Sequence, residues 1–275
     1  MAFDYPERPI FGRVILAVMT IATERPLAPE RQIAPGTRLV IVRHGEAVSN
    51  AEDLVAGHLG CTGLTERGRR QVAALSDRLF RTGELDGAAA LYSSVLRRAV
   101  ETAEILRPSL GEVSYRAECM LCERHPGEAD GMSWVECDKR YGRRLPGEDP
   151  DQPLSPGGET WLEFLDRVED GLYSVAAAHP GELVVIAGHG GVVDASLIRF
   201  LGLPASGGLV RFFPDNASMT EWAFTGARWW LVRFNDAAHL DPKERDEPGL
   251  RITAPLWVRL ESRGSRHLPE ACQQA

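Results

Sequence analysis

Apolar residues recur along the chain in two patterns that predict different elements. Short, nearly continuous apolar runs indicate strands that are buried on both faces. These runs cover residues 37–43, 88–93 and 182–187. Apolar residues at three- and four-residue steps predict amphipathic helices instead. The helical segments cover residues 65–82, 96–106, 158–178 and 192–201, with a shorter one near 132–141.

Local signals mark the ends of several elements. Thr65 is a suitable N-cap for the first long helix, and Gly83 is a suitable stop for it. Two further strands are predicted at residues 217–224 and 229–234, joined by a turn at Gly226.

Strands and helices alternate from residue 37 to residue 201, which predicts an α/β fold with three layers. We expect a doubly wound, mostly parallel central sheet with helices on both faces. In such sheets, ligands bind at the carboxyl ends of the strands. His44 and His189 follow two of those ends, and Arg98 follows a third by one helical turn. Residues that are distant in sequence should therefore meet at one edge of the sheet.

The 275 residues divide into one predicted domain, residues 37–235, and two flanking segments. Residues 1–36 contain five prolines and no sustained period, so we expect an irregular leader or a misassigned start, with Met19 as the alternative start. Residues 236–275 form a C-terminal extension without an assigned role. The apolar residues 14–22 are too short for a membrane helix and lack the positive flank of a signal peptide, so a cytoplasmic location is expected.

Charge and cysteine content narrow the function classes. The net charge of −8 disfavours a nucleic-acid-coating protein, and neither a nucleic-acid nor a membrane partner is expected. The basic residues are 29 Arg and 2 Lys; Arg is the better partner for phosphate, although genomic composition also explains this bias. The five cysteines are not a disulfide scaffold. Cys119 and Cys122 have Cys-x-x-Cys spacing, but no second pair and no paired histidines accompany them in sequence, so we expect reduced thiols and no metal.

Arg43-His44-Gly45 lies where the first buried strand stops. Two neighbouring cations are costly unless an anion balances them, and a phosphate group would do so. Gly45 permits close backbone approach. Asn50 could add a neutral donor, with a turn cap as its alternative role.

At this point the sequence resembles the histidine phosphatase superfamily, whose members are phosphoglycerate mutase-like enzymes with an Arg-His-Gly motif. The resemblance covers about residues 37–235 and rests on six motifs in order. The motifs are Arg43-His44-Gly45 with Asn50, Leu64-Thr65-x-x-Gly68, Tyr92-Ser93-Ser94-x-Leu96-x-Arg98, Leu121-x-Glu123-Arg124, Pro156-x-Gly158-Glu159-Thr160 and Gly188-His189-Gly190-Gly191.

The resemblance implies a role for each matching residue. His44 would attack phosphorus and become phosphohistidine, and Glu123 would protonate the leaving oxygen. Arg43, Arg98 and a protonated His189 would hold the phosphoryl oxygens, without a metal or another cofactor. The remaining residues expected to bind substrate are Asn50, Gly190, Arg124 and His58, with a surface position as the alternative for His58.

The resemblance favours a phosphatase that acts on a small phosphorylated metabolite, and a homodimer is compatible with it. A mutase is the first alternative, because Arg140, Arg143 and Arg144 could form a basic lid. However, Glu123 and Glu159 are only 36 residues apart, which is shorter than the mutase pattern. A non-catalytic phospholigand-binding domain is the second alternative, although such a domain needs no nucleophile.

Overall fold

The computed structural model describes residues 36–143, 149–205 and 212–245. Six strands form one sheet. The strands are β1 (Arg38–Arg43), β2 (Ala90–Ser93), β3 (Ser114–Ala117), β4 (Leu183–Gly188), β5 (Met219–Phe224) and β6 (Trp229–Asp236). The helices are α1 (Val48–Ala51), α2 (Glu66–Thr82), α3 (Arg97–Leu106), α4 (Trp134–Tyr141), α5 (Trp161–Ala178) and α6 (Gly190–Phe200). Arg144, Met19, most of the leader and the end of the extension lie outside the described residues.

The sheet is mixed, with the strand order β3-β2-β4-β1-β5-β6. The first four strands in this order are parallel, whereas β5 pairs antiparallel with both β1 and β6. Parallel strands need crossover helices, and these cover the two faces of the sheet. The predicted α/β class with a mostly parallel sheet is confirmed.

Successive residues of β1 supply the two halves of the core. Leu39 and Ile41 face one side and pack with residues of α5 and α6, including Phe164. Val40 and Val42 face the other side and pack with residues of α2 and α3. Because side chains of a strand alternate between faces, an unbroken apolar run signals burial on both sides. This is the physical reason why the three longest apolar runs predicted strands correctly.

The ends of the helices follow their capping residues. The hydroxyl of Thr65 accepts from the Gly68 amide, and Gly83 closes α2 in the left-handed conformation with φ of 63°. The predicted helix at 158–178 begins later, at Trp161, because Thr160 is its N-cap. Thr160 and Glu163 form a reciprocal capping box there. The last predicted helix begins two residues earlier than expected, at Gly190 rather than at residue 192.

Close approach of two backbone segments explains why residues 45 and 68 are glycines. A Cβ at Gly45 would lie 2.3 Å from the Gly68 carbonyl oxygen, and a Cβ at Gly68 would lie 2.0 Å from the Glu46 carbonyl oxygen. The glycine after His44 therefore lets the end of β1 pack against the start of α2. The expected close approach at Gly45 is real, but its partner in the structure is this helix start.

The first residues of the C-terminal extension pack against α2. The carboxamide of Gln71 donates to the Glu244 carbonyl at 2.7 Å. The division of the chain at residues 36 and 236 stays a prediction. In the part of the chain that the structure describes, no helix is long and apolar enough to cross a membrane.

Candidate active site

The carboxyl ends of three neighbouring strands bring together His44, His189 and Arg98. His44 follows β1, His189 follows β4, and Arg98 lies in the first turn of α3 after β2. The Nε–H of Arg98 is shared between Nε2 of His44, at 3.1 Å, and Nδ1 of His189, at 3.3 Å. All three side chains are buried. The convergence expected from the strand order is thus present.

Hydrogen bonds determine where the proton of His44 lies. Arg98 can only donate, so Nε2 of His44 must accept and carries a lone pair. Nδ1 of His44 lies 2.7 Å from the Gly45 carbonyl oxygen, which can only accept, so Nδ1 carries the proton. Burial, followed by the charges of Arg98 and Arg43, holds the pKa of His44 well below its usual value. His44 is therefore a neutral imidazole with a basic nitrogen at Nε2.

His189 is neutral as well. Burial and the neighbouring Arg98 hold the pKa of His189 well below its usual value, so the protonated form expected from the sequence is disfavoured when no anion is bound. Because Nδ1 accepts from Arg98, the proton of the neutral ring lies on Nε2. Nε2 is buried and has no hydrogen-bond partner among the described residues. A buried N–H group without an acceptor costs free energy, so binding of a ligand oxygen to this donor would be favourable.

Arg43 is held in place at the neighbouring position. Its guanidinium donates to the Pro214 carbonyl and lies over the Phe213 ring, with 5.8 Å from Cζ to the ring centroid. A Cβ on Gly190 would lie 3.5 Å from Nε of Arg43, which places the start of α6 beside this cation. Backbone amides at a helix start and a fixed guanidinium both favour an anion.

Glu123 lies at the same helix start. Its two carboxylate oxygens accept from the backbone amides of Gly191 and Arg124, each at 3.0 Å. A Cβ at Gly191 would lie only 2.1 Å from Oε1 of Glu123. Glycine at residue 191 is therefore what lets the carboxylate reach the start of α6.

A cavity of about 300 Å³ opens beside His44 and Arg98, whereas the fully buried His189 does not line it. Its polar wall includes Arg43, His44, Asn50, Arg98 and Glu123. The Oδ1 atom of Asn50 accepts from the Ala47 amide at 3.0 Å, so the alternative role of Asn50 as a turn cap is real. The amide nitrogen of Asn50 is the end that can donate to a ligand.

The sequence motifs and the geometry now agree on one family. A family model described as "Histidine phosphatase superfamily (branch 1)" matches residues 39–237. The chain belongs to this superfamily. It is 32% identical over 213 residues to a metal-independent phosphoserine phosphatase of Arabidopsis thaliana, covering 74% of this chain and 83% of the relative. It is 31% identical over 222 residues to a glucosyl-3-phosphoglycerate phosphatase of Mycolicibacterium vanbaalenii, covering 74% of this chain and 96% of the relative.

A solved structure shows the same fold. The structure of a mycobacterial glucosyl-3-phosphoglycerate phosphatase with VO3 aligns with a TM-score of 0.62 at 30% identity. The alignment covers 73% of this chain and 99% of that one. These relatives support phosphatase chemistry in the part of the superfamily to which this chain is similar.

Two of the expected substrate-binding residues are placed differently from the rest of the candidate site. Arg124 reaches the cavity wall, but its guanidinium donates to the carbonyls of Glu159 and Gln152, at 2.8 and 3.1 Å. His58 is exposed and does not line the cavity; its ring lies beside that of His125, with 5.9 Å between centroids. His58 therefore lies outside the wall of this cavity.

The cavity also has an apolar wall that the sequence analysis missed. This wall includes Leu54, Val55, Trp134, Leu154 and Trp161. Trp161 opens the amphipathic pattern of α5, and that pattern does not distinguish a core position from a cavity position. Val55 and Leu54 belong to no predicted element, so only the folded loop reveals them.

Proposed function

We propose that this histidine phosphatase hydrolyses the phosphomonoester of a small metabolite through a phosphohistidine on His44. The observation that carries the proposal is the state of His44. Its ring is neutral, its Nδ1–H donates to the Gly45 carbonyl, and its Nε2 lone pair lies beside Arg98 at the cavity. A nucleophile must be deprotonated before it attacks, and the lowered pKa of His44 supplies that state near neutral pH.

The surrounding donors suit a phosphoryl group. Such a group carries up to two negative charges, and its transition state spreads charge over three oxygens. Arg43 and Arg98 supply fixed positive charge, and Nε2–H of His189 supplies a buried donor. The Gly190 amide at the start of α6 and the carboxamide of Asn50 add neutral donors. These groups can stabilise the developing charge without a metal ion at the phosphate.

Glu123 is the proposed proton donor. In the first step, Nε2 of His44 forms a bond to phosphorus, the bond from phosphorus to the leaving oxygen breaks, and Glu123 gives its proton to that oxygen. In the second step, Glu123 takes a proton from water while the water oxygen bonds to phosphorus. The bond between phosphorus and His44 then breaks, which releases phosphate and restores the imidazole.

Hydrolysis is favoured over a mutase reaction. A mutase must retain its substrate while the phosphoryl group moves, and Arg140 and Arg143 were the described candidates for a basic lid. Neither lines the cavity, and Arg140 lies over the Tyr141 ring instead, with 5.4 Å from Cζ to the centroid. The two relatives named above are phosphatases and another is named a phosphoglycerate mutase-like protein, so it is the cavity lining that favours hydrolysis.

A panel of phosphorylated metabolites tests this function. Phosphoserine and glucosyl-3-phosphoglycerate belong in the panel because relatives are named for them. We expect release of inorganic phosphate from at least one member by the wild type and none above background by His44→Ala. With 3-phosphoglycerate and 2,3-bisphosphoglycerate, isomerisation that exceeds phosphate release would establish a mutase instead. Tight binding of a phosphoester without turnover would establish a binding domain.

The cytoplasmic location stays a prediction from the sequence, and a homodimer stays compatible with the family resemblance. Cell fractionation and light scattering of the purified chain test them.

A further inference from the structure

Outside the proposed phosphate site, two cysteines and two histidines converge on one point. The ligand atoms of His58, Cys119, Cys122 and His125 all lie within 4.8 Å of one another. The Cys-x-x-Cys pair lacks paired histidines in the sequence, but the fold supplies them, one from the loop after α1 and one from the segment that carries Glu123. We propose that these four side chains bind a zinc ion.

The distances suit a tetrahedral ion. Zn–S bonds of about 2.3 Å and Zn–N bonds of about 2.0–2.1 Å place neighbouring ligand atoms roughly 3.3–3.8 Å apart. Sγ of Cys119 and Nε2 of His125 are already 3.6 Å apart. The remaining ligand atoms need to close by about 1.5 Å at most, since the largest separation is 4.8 Å and two imidazole nitrogens on one zinc ion lie about 3.3 Å apart. Cys119 and His58 have exposed side chains, so rotation can supply this closure.

The Cys-x-x-Cys turn is fixed by bonds that do not depend on an ion. Residues Cys119–Leu121 form a single 3₁₀ turn, which the Cys122 amide closes on the Cys119 carbonyl. The guanidinium of Arg167 donates to the carbonyls of Cys119 and Cys122, at 3.2 and 3.1 Å. The hydroxyl of Ser94 donates to Sγ of Cys122 at 3.3 Å. A ligand set held by its surroundings loses less conformational freedom when it binds an ion.

The two histidines are also supported. Nδ1 of His125, the ring nitrogen that does not face Cys119, lies 3.8 Å from a carboxylate oxygen of Glu159. A carboxylate behind a zinc-binding histidine is a common arrangement, because it orients the ring. The loop of His58 is held by Asp130, whose carboxylate accepts from the amides of Gly57, Leu59 and Gly60.

Ligand chemistry selects zinc and a structural role. Two thiolates with two imidazoles are a typical tetrahedral zinc set, and the cysteines would release their protons to solvent as the ion binds. Four protein ligands leave no open position for a substrate. None of the four residues lines the cavity. The ion would instead join two loops of the proposed active site. One loop carries Cys122 directly before Glu123. The other carries His58 two residues after Ala56, whose carbonyl accepts from Arg98 at 3.0 Å.

A disulfide between Cys119 and Cys122 is the competing use of this cysteine pair. It would leave both histidines without a role, and it would block the thiols. Free-thiol titration therefore separates the two: the zinc site requires both cysteines to be reduced, and ejection of the ion must expose them.

Metal analysis of the full chain, purified without a histidine tag in reducing buffer, is the direct test. We expect one zinc ion per chain by elemental mass spectrometry. Replacement by cobalt should produce thiolate-to-metal charge-transfer absorption and the intense visible bands of tetrahedral cobalt. A reduced chain that retains no zinc after incubation with zinc and removal of the excess would overturn the proposal.

Matched variants locate the ion. Loss of a supporting residue commonly weakens metal binding about 10–100-fold, so loss of a ligand in His58→Ala or Cys119→Ser should weaken it at least about 100-fold. Met120→Leu, between the two cysteines, should retain the zinc. A chelator should lower the Tm of wild type and Met120→Leu but not that of His58→Ala. Equal zinc content in all four proteins would place the ion elsewhere and contradict the proposal.

Discussion

Replacement of Gly191 by Ala should displace Glu123 while leaving the fold intact. The added Cβ would lie 2.1 Å from Oε1 of Glu123, so the carboxylate must move by more than about 1 Å to reach ordinary contact. Its hydrogen bond from the Gly191 amide, now 3.0 Å, would be lost or bent. A displacement of this size at a reacting group can lower the rate about 100-fold, or about 2.7 kcal/mol in activation free energy.

Stability should be preserved in Gly191→Ala because the crowded atom is the free end of a side chain. Alanine also favours the helical conformation over glycine by up to about 1 kcal/mol. We therefore expect a Tm at or above that of wild type. Gly188→Ala is the matched control within the same motif, since its Cβ would meet its nearest atoms, including Cγ2 of Ile41, at 3.7 Å. That variant should keep near wild-type turnover.

Rapid-quench kinetics separate the two steps in which Glu123 is proposed to act. p-Nitrophenolate leaves without a proton, so the first step with p-nitrophenyl phosphate should survive in Gly191→Ala. The second step still needs Glu123 as a base, so phosphoenzyme should accumulate and steady-state turnover should fall. Equal kcat in Gly191→Ala, Gly188→Ala and wild type, without accumulation of phosphoenzyme, would refute the role of Glu123.

Three further predictions follow from the surroundings of single side chains. The charge of Arg98, together with burial, lowers the pKa of His44, so Arg98→Gln should raise that pKa. The acid limb of the kcat/KM profile should then move to higher pH, and an unmoved limb would contradict this prediction. Hydrogen bonds from Arg78 hold the pKa of Asp236 below its ordinary value, so the ionised Asp236 stabilises the fold. Asp236→Asn should therefore cost about 1 kcal/mol of unfolding free energy above about pH 4. Urea titrations should show this cost shrinking as the pH falls further. Thr160→Ala removes the N-cap of α5 and should cost about 1 kcal/mol in the same assay without changing kcat.

Most of the fold could be predicted because burial on two faces leaves a strong sequence pattern. β1 is apolar between its terminal arginines and β4 is apolar throughout, and both were predicted within one residue of their observed bounds. β3 was missed because its four residues, Ser114–Ala117, form a largely exposed edge strand with no apolar period. Edge strands are fixed by hydrogen bonds to a neighbour, which leave little trace in composition.

The proposed phosphate site was predictable where it depends on topology. His44 and His189 meet because the carboxyl ends of parallel strands share one edge of the sheet. Contacts made by loops were not predictable in this way. His58 lies 61 residues before Cys119, and only the folded loops bring the two together. Arg124 was expected to bind substrate, but nearby backbone carbonyls compete for its guanidinium, and sequence spacing does not report such acceptors.

Trapping of phosphohistidine on His44 tests the central claim most directly. The full chain is mixed with a phosphate-labelled substrate, quenched in base within the first turnover, and digested for peptide mapping. We predict acid-labile, base-stable label on the peptide that contains His44 in wild type, and none in His44→Ala. Turnover by wild type with no labelled enzyme at any quench time, or label that persists in His44→Ala, would contradict the account.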